Sequence, residues 1–383
     1  MTMSPRGRAL LLQFTEPQRY PPLQHVAEGL LADGWDVQLS ACRLDDGAHW
    51  AFAPALQARV YTRGGPCGGW RGRLNYLGFL WGSGWRMLSQ RPRLVWLSDL
   101  TATPLVTIAR LLGLRVVYHE HDLPDPPMGR IQRWLQRCRQ RALRQADALV
   151  FPSAQRATEA LAAIGQATDA RCHIVWNLPG LVEALPETAP ELRQGSALRL
   201  YFHGSINSTR LPLALLDVMA QVPATTLAVV GYETVGSVGY MERFLKRAAD
   251  LGLTARVQWH GALTLERRLQ VCREQDLGLC FYGGKDRNHQ SMVGPSNKPF
   301  DYLACRLALL VPDEPEWRRT FVEPGYAYAV PAADPEGSAL VALLTGLAAD
   351  PAAVRARGRL GNSRIRADWH YEQAFATLRE KLR

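Results

Sequence analysis

Residues 294–304 read "GPSNKPFDYLA". An ordinary core helix needs neither the Gly-Pro-Ser-Asn-Lys start nor an acid in its first turn. A loop that holds an anion against the start of a helix uses both. Ser296 or Asn297 can cap the helix, Pro299 suits its first turn, and Lys298 sets a positive charge beside N–H donors. Asp301 has two readings: compensation of the helix dipole, or acceptance of ribose hydroxyls as acids do in nucleotide sites. The stretch lies between the apolar runs "LGLCFY" (277–282) and "LALLVP" (307–312), which read as buried parallel strands.

The same rhythm continues in both directions. Upstream, "LRLYFH" (198–203), "TLAVVG" (226–231) and "RVQWHG" (256–261) read as strands, with helices at about 210–222, 239–251, 264–273 and 298–304. In the first half, strands are expected at 9–14, 36–40, 93–97, 115–119, 148–152 and 173–177, and helices at 20–33, 102–112, 129–145 and 154–163. The segment 178–196, rich in proline and acids, breaks the alternation and reads as a linker. The last stretch, from Asp350 on, reads as two helices. The fold class is therefore α/β, with two Rossmann-like domains facing each other across a cleft at the carboxyl ends of their strands. The expected division is 1–185, 186–366 and a terminal helix 367–383 packing back on the first domain.

Four further stretches fall at strand ends, where such a cleft would be lined. "HGSINSTR" (203–210) offers Gly204 and Ser205 for close backbone approach and Arg210 for a phosphate. A strand–helix turn with a solvent-facing arginine would look the same. "VVGYE" (229–233) and "WHGAL" (259–263) place Gly231, Tyr232, His260 and Gly261 after consecutive strands, where a planar base can lie against backbone. "YHEHDLP" (118–124) crowds His119, His121 and Asp122 at the end of a first-domain strand. His-x-His with nearby acids suits a metal, but no third ligand is identifiable, so no metal site is assigned. A histidine that hydrogen-bonds a sugar hydroxyl or stabilises developing charge is the preferred reading, with a purely structural polar pair as the alternative.

With 383 residues, 47% hydrophobic and 21% charged, the chain has the makeup of a soluble globular protein of two domains. Seven scattered cysteines without a CxxC pair give neither a disulfide framework nor a zinc site. Their plain reading is a reducing cytoplasm, and no run approaches membrane-span length. The net charge is +10, and every basic residue of the first half is arginine. Phosphorylated substrates or anionic lipid suit such a surface; arginine usage in a GC-rich genome would produce it too.

The order "HGSIN…R", "VVG", "WHG", "DLGLCFY" and "PSNKPFDYLA" resembles the nucleotide-binding half of GT-B glycosyltransferases, in particular the retaining enzymes of family 4. The resemblance is strong over 198–366 and weak before it. In that family two glutamates stand eight positions apart; here those positions hold Val293 and Asp301. The acid resembling the ribose ligand is kept in shortened form, and the one that touches the donor sugar is absent. The family's basic pair is matched at Arg210 only, with Ser205 and Leu211 at the other basic positions, and Lys298 supplies the missing charge. His121 matches the active-site histidine, and the Gly-Gly loop after the first strand is replaced by "TEPQRYPP" (15–22).

The resemblance implies transfer of a sugar from a UDP- or GDP-linked donor to a glycan or lipid-linked acceptor, with retention, and with no metal or other cofactor. The residues it places in the chemistry are His121, Arg210 and Lys298. Those for the donor nucleotide are Gly204, Ser205, Gly231, Tyr232, His260, Gly261, Ser296, Asn297 and Asp301, with His119 and Asp122 on the acceptor side. Nucleic acid is not an expected partner. The competing functions are a nucleotide-sugar epimerase on the same fold and a non-catalytic nucleotide binder. The stretch 68–93 interleaves Trp70, Tyr76, Phe79, Trp81 and Trp85 with Arg71, Arg73 and Arg86. It reads either as a peripheral contact with a membrane's inner face or as a core helix whose aromatics meet the sheet.

Overall fold

Two short apolar runs, "RALLLQ" and "LVWLS", pair side by side as the centre of the first sheet. The computed structural model describes residues 6–14, 21–42, 60–63, 69–124, 126, 129–191, 195–281, 292–331 and 337–382. Its strands in the first half are β1 Arg8–Gln13, β2 Asp36–Cys42, β3 Val60–Arg63, β4 Leu94–Ser98, β5 Arg115–His119, β6 Ala148–Phe151 and β7 Cys172–Ile174. They form one parallel sheet in the order β3-β2-β1-β4-β5-β6-β7. Every residue of β4 is buried, as expected of a central parallel strand covered on both faces.

The second half repeats the plan. β8 Leu198–Ile206, β9 Thr225–Glu233, β10 Val257–Trp259, β11 Leu277–Leu279, β12 Ala308–Pro312 and β13 Ala327–Val330 form a parallel sheet ordered β10-β9-β8-β11-β12-β13. Strand order reverses between β1 and β4 in one sheet and between β8 and β11 in the other. At such switch points neighbouring connections leave to opposite faces, which opens a crevice at the strands' carboxyl ends. The sequence patterns miss β3 and β13. Both are four-residue edge strands, too short to show a period.

Residues 1–177 and 371–383 form one compact unit and 178–370 the other. The division thus falls at Asn177/Leu178 rather than at 185/186. The reason is Arg306, whose guanidinium donates to the carbonyls of Pro186 (2.7 Å), Glu187 (2.8 Å) and Ala189 (3.0 Å). Leu185 N–H also donates to the Ala304 carbonyl at 2.9 Å. The described part of the expected linker is therefore fastened to the second unit.

The first unit is closed by its last helix, Tyr371–Leu382. Tyr371, Phe375, Leu378 and Leu382 join Leu23, Val26, Leu30 and Trp96 in one core cluster. Arg379 clasps Asp33 at 2.7 and 2.8 Å.

In the second unit Tyr302 sets the opening between β8 and β11. The two strands pair only at Leu200↔Leu277 and Tyr201↔Gly278. Beyond that point the Tyr302 ring enters, so close to Gly278 that a Cβ there would lie 2.2 Å from Cδ2. Its hydroxyl accepts the His203 backbone N–H at 3.0 Å. Tyr302→Phe removes that acceptor from a fully buried donor. It is expected to lower the stability of the second unit by about 1–3 kcal/mol, read as a shift of the urea midpoint without loss of fold.

Candidate active site

Gly204 and Gly231 face each other in register near the carboxyl ends of β8 and β9. A Cβ on Gly231 would lie 1.9 Å from the Gly204 carbonyl oxygen, so β9 can carry no side chain there. The Gly231 N–H continues the row by donating to the Gly261 carbonyl at 2.8 Å. Three glycines thus make a bare edge across β8, β9 and the chain leaving β10, flanked by Tyr232 and His260. His260 is held by its own N–H, which donates to the Val229 carbonyl at 2.9 Å.

Lys298 lies against this edge. A Cβ on Gly204 would meet its Cε at 2.8 Å and its Nζ at 3.6 Å. The ammonium lies 4.6 Å from the centre of the Phe202 ring, and the residue is 5% exposed. Burial, and then the Arg210 charge, bring its pKa down to about 7. Arg210 donates to Ser205 Oγ. Its position is fixed by Asn207 Oδ1, which accepts the N–H groups of Thr209 (3.1 Å) and Arg210 (3.0 Å). Asn207 thereby delays the next helix: it begins at Ala214, not at the expected 210. Arg210 stands in the loop before it.

The "GPSNKPFDYLA" stretch departs from expectation in its capping. Gly294 turns the chain with φ +88°, and the helix Lys298–Ala304 has seven residues. Asn297 takes the N-cap position but its side chain makes no cap bond; its Nδ2 donates to Asp301 Oδ2 at 3.2 Å. Asp301 is 3% exposed. Its Oδ2 accepts Arg268 Nη2 at 3.2 Å and lies 3.3 Å from His203 Nε2. Burial and the Arg268 charge, against the pull of Asp301, lower the His203 pKa to about 4, so the ring is neutral near pH 7. Val293, at the position of the absent acid, is buried.

In the first unit a second cluster sits at the β1/β4 switch point. Ser98 ends β4 opposite His119, which ends β5. His121 Nε2 meets Ser98 Oγ at 2.8 Å, its backbone N–H donates to Asp99 Oδ1 at 2.8 Å, and its carbonyl accepts from Arg156. Burial lowers the His121 pKa to about 4, leaving a neutral imidazole. His119 is fully buried; its ring lies 3.9 Å from that of His121 and 5.7 Å from that of Trp96. It backs His121 rather than reaching solvent. Asp122 is exposed and pairs with Arg156 at 3.1 Å. Behind them, Glu120 takes a two-pronged bond from Arg139 (2.5 and 2.7 Å) and the Tyr118 hydroxyl (2.6 Å). The replaced loop "TEPQRYPP" falls largely outside the described residues.

Sequence reasoning missed Asp99, His203 and Arg268. Asp99 follows the buried run "LVWLS", the same kind of position that singled out His121, and that was its signal. Its backbone is left-handed, φ +60°, a strain that a short polar residue tolerates and that marks functional turns. Burial, and then Asp122, push its carboxyl pKa up to about 8. Arg268 lies in the helix Leu265–Arg273, whose polar pattern gives no sign of an inward-facing charge.

Comparison with known proteins bears on this geometry. The family model described as "Glycosyl transferase 4-like domain" matches residues 22–177, and the one described as "Glycosyl transferase-like" matches 210–380. The chain is a GT-B glycosyltransferase of the family 4 type. No curated protein matches its sequence. Among solved structures, the transferase is similar to HepE of Anabaena in complex with UDP, at 14% identity and TM-score 0.70, over 98% of this chain and 99% of that one. Sucrose-phosphate synthase of Thermosynechococcus elongatus is similar at 16% identity, TM-score 0.72 and the same coverage. The trehalose 6-phosphate synthase of Burkholderia multivorans is similar at 14% and 0.64, over 98% of each chain.

Asp99 gives the transferase a testable alkaline weakness. An acid whose pKa rises on folding contributes stability below its ordinary value near 4, and that contribution is lost as pH rises through about 8. His121, shifted the other way, loses its contribution as pH falls from 6.5 through about 4. Asp99→Asn keeps a carbonyl for the His121 N–H. It is expected to raise the melting temperature at pH 9 by on the order of 3 °C or more relative to wild type. The acid side of the profile, followed by thermal unfolding, stays unchanged.

Proposed function

We propose that the transferase takes its sugar from a nucleoside diphosphate sugar, UDP- or GDP-linked, and that the diphosphate lies over Gly204 between Lys298 and Arg210. The observation that carries this reading is the buried Lys298 ammonium pressed against a glycine beside Arg210. Two basic side chains converging on a strand end that carries no side chain suit the diphosphate of a nucleotide. The base lies along the edge of Gly231, Tyr232, His260 and Gly261. Asp301 accepts the ribose hydroxyls, held in place by Arg268, Asn297 and His203. HepE, solved with UDP, supports the uridine form.

The reaction proposed is transfer with retention. The bond from the sugar's anomeric carbon to the departing phosphate oxygen breaks, and the acceptor oxygen forms its bond on the same face. The acceptor's proton passes to that phosphate oxygen. No strong protein base is needed, and Lys298 and Arg210 stabilise the negative charge as it grows, in the place a metal would otherwise fill. In the first unit the neutral His121 hydrogen-bonds a sugar hydroxyl. The acceptor is a glycan or a lipid-linked sugar of a cell-surface polymer. A lipid-linked acceptor would bring the first unit to the membrane's inner face through the stretch 68–93.

Calorimetry tests the diphosphate site. UDP or GDP is expected to bind in excess chelator, and binding that disappears with the metal would refute the site. Because Lys298 is only partly protonated at pH 7, the bound diphosphate draws in a proton. Affinity should therefore fall between pH 7 and 8.5, by up to about tenfold per unit. Lys298→Ala removes that pH dependence, and Lys298→Ala and Arg210→Ala each weaken binding by about 1–3 kcal/mol.

Asp301 is tested with two ligands. Asp301→Asn should lose affinity for the ribonucleotide but little for its 2′,3′-dideoxy analogue, since an amide oxygen accepts more weakly than a carboxylate. Comparing both ligands on both proteins cancels general destabilisation, and equal losses would assign the acid to the Arg268–His203 network alone.

A further inference from the structure

The helix Gly69–Gln90 divides its side chains in an unusual way. Phe79, Ser83, Gly84 and Met87 are buried against the first sheet's core, and the Tyr76 hydroxyl donates to the Thr101 carbonyl at 2.9 Å. Of the aromatics in the stretch, Tyr76 and Phe79 thus meet the core. The tryptophans do not. Trp70, Leu74, Leu77, Trp81, Trp85 and Leu88 are 50–76% exposed. At 100° per residue these six positions fall within a stripe about 80° wide, and at 1.5 Å per residue it runs for about 27 Å.

Scattered exposed leucines need no explanation, but a continuous stripe with three tryptophans does. Charge selects the occupant. From 69 to 98 the chain carries Arg71, Arg73, Arg86, Arg91 and Arg93 and no acid. Two copies of this chain pairing through the stripe would bring those arginines together. An anionic surface would instead neutralise them, and tryptophan is the side chain best suited to the boundary between headgroups and acyl chains.

We propose that the helix Gly69–Gln90 is an in-plane anchor that seats the first unit on an anionic lipid surface, with Trp70, Trp81 and Trp85 in the headgroup–acyl boundary and Arg71 and Arg73, exposed on either border of the stripe, on lipid phosphates. This deepens the lipid-linked acceptor reading and rests on it only for the reason a transferase would approach a membrane. The anchor itself is a property of the stripe and its charges.

Flotation of the full chain with vesicles of phosphatidylcholine containing 30% phosphatidylglycerol tests it, against pure phosphatidylcholine and at low and high salt. The expected result is at least tenfold stronger partition onto the anionic vesicles, weakened by salt. Trp81→Glu with Trp85→Glu should abolish it. Both positions are exposed, so the variant should keep its thermal unfolding temperature and its UDP affinity. Absence of binding to anionic vesicles overturns the anchor, as does a variant that floats like wild type. A concentration-dependent dimer that the variant disrupts, without vesicle binding, would reassign the stripe to self-association. UDP binding is scored separately, so loss of the donor-site reading and loss of the anchor are distinguishable.

Discussion

The close approach of Gly204 and Gly231 is the constraint on which the candidate donor site depends. β8 and β9 stay in register over all nine residues of each; at Gly231 the Gly204 backbone leaves no room for a Cβ, and at Gly204 the space is taken by the Lys298 side chain. That bare edge admits Lys298 to the strand end, and Lys298 in turn is positioned by the two-turn helix that Tyr302 wedges between β8 and β11. Any side chain at Gly204 would push the ammonium away.

Two buried groups are held out of their ordinary protonation state, in opposite senses. Lys298 is pushed toward neutrality by burial and by Arg210. Asp99 is pushed toward its protonated form by burial and by Asp122. Each lies at a switch point of its own sheet, where helices diverge and strand ends are left uncovered. The two histidines that accompany them, His203 and His121, are both kept neutral by burial. Neutral imidazoles can accept or donate without adding charge, which suits hydroxyl-rich ligands.

Much of this was legible in the chain. Central strands such as β4 and β12 are continuous apolar runs because helices cover both of their faces, so they read clearly. The edge strands β3 and β13 are only four residues long, too short to show a period, and β13 is half-buried at its two middle positions. Among the site residues, the glycines at strand ends and Lys298 stood out because each violates what a plain strand or helix would choose. Arg268 did not, since an arginine on a polar helix looks the same facing in or out. The capping expectation for Asn297 failed for a different reason. Its backbone is already helical, φ −75° and ψ −23°, rather than the extended form from which a capping oxygen reaches back to the first turn. Asp99 was available by position but not by residue type: its meaning lies in a left-handed φ that no local pattern encodes.

The return of the helix Tyr371–Leu382 to the first unit has a consequence for how the protein is made. The ribosome completes the first sheet long before Phe375 and Leu378 exist. Until they emerge, the face formed by Leu23, Val26, Leu30 and Trp96 has no cover. The first unit therefore cannot close its core during its own synthesis; the whole second unit must be translated first. A nascent chain stalled anywhere in 178–370 carries an open apolar face, a natural place for a chaperone to hold it. Removing only the last dozen residues would damage the part of the protein that was built first.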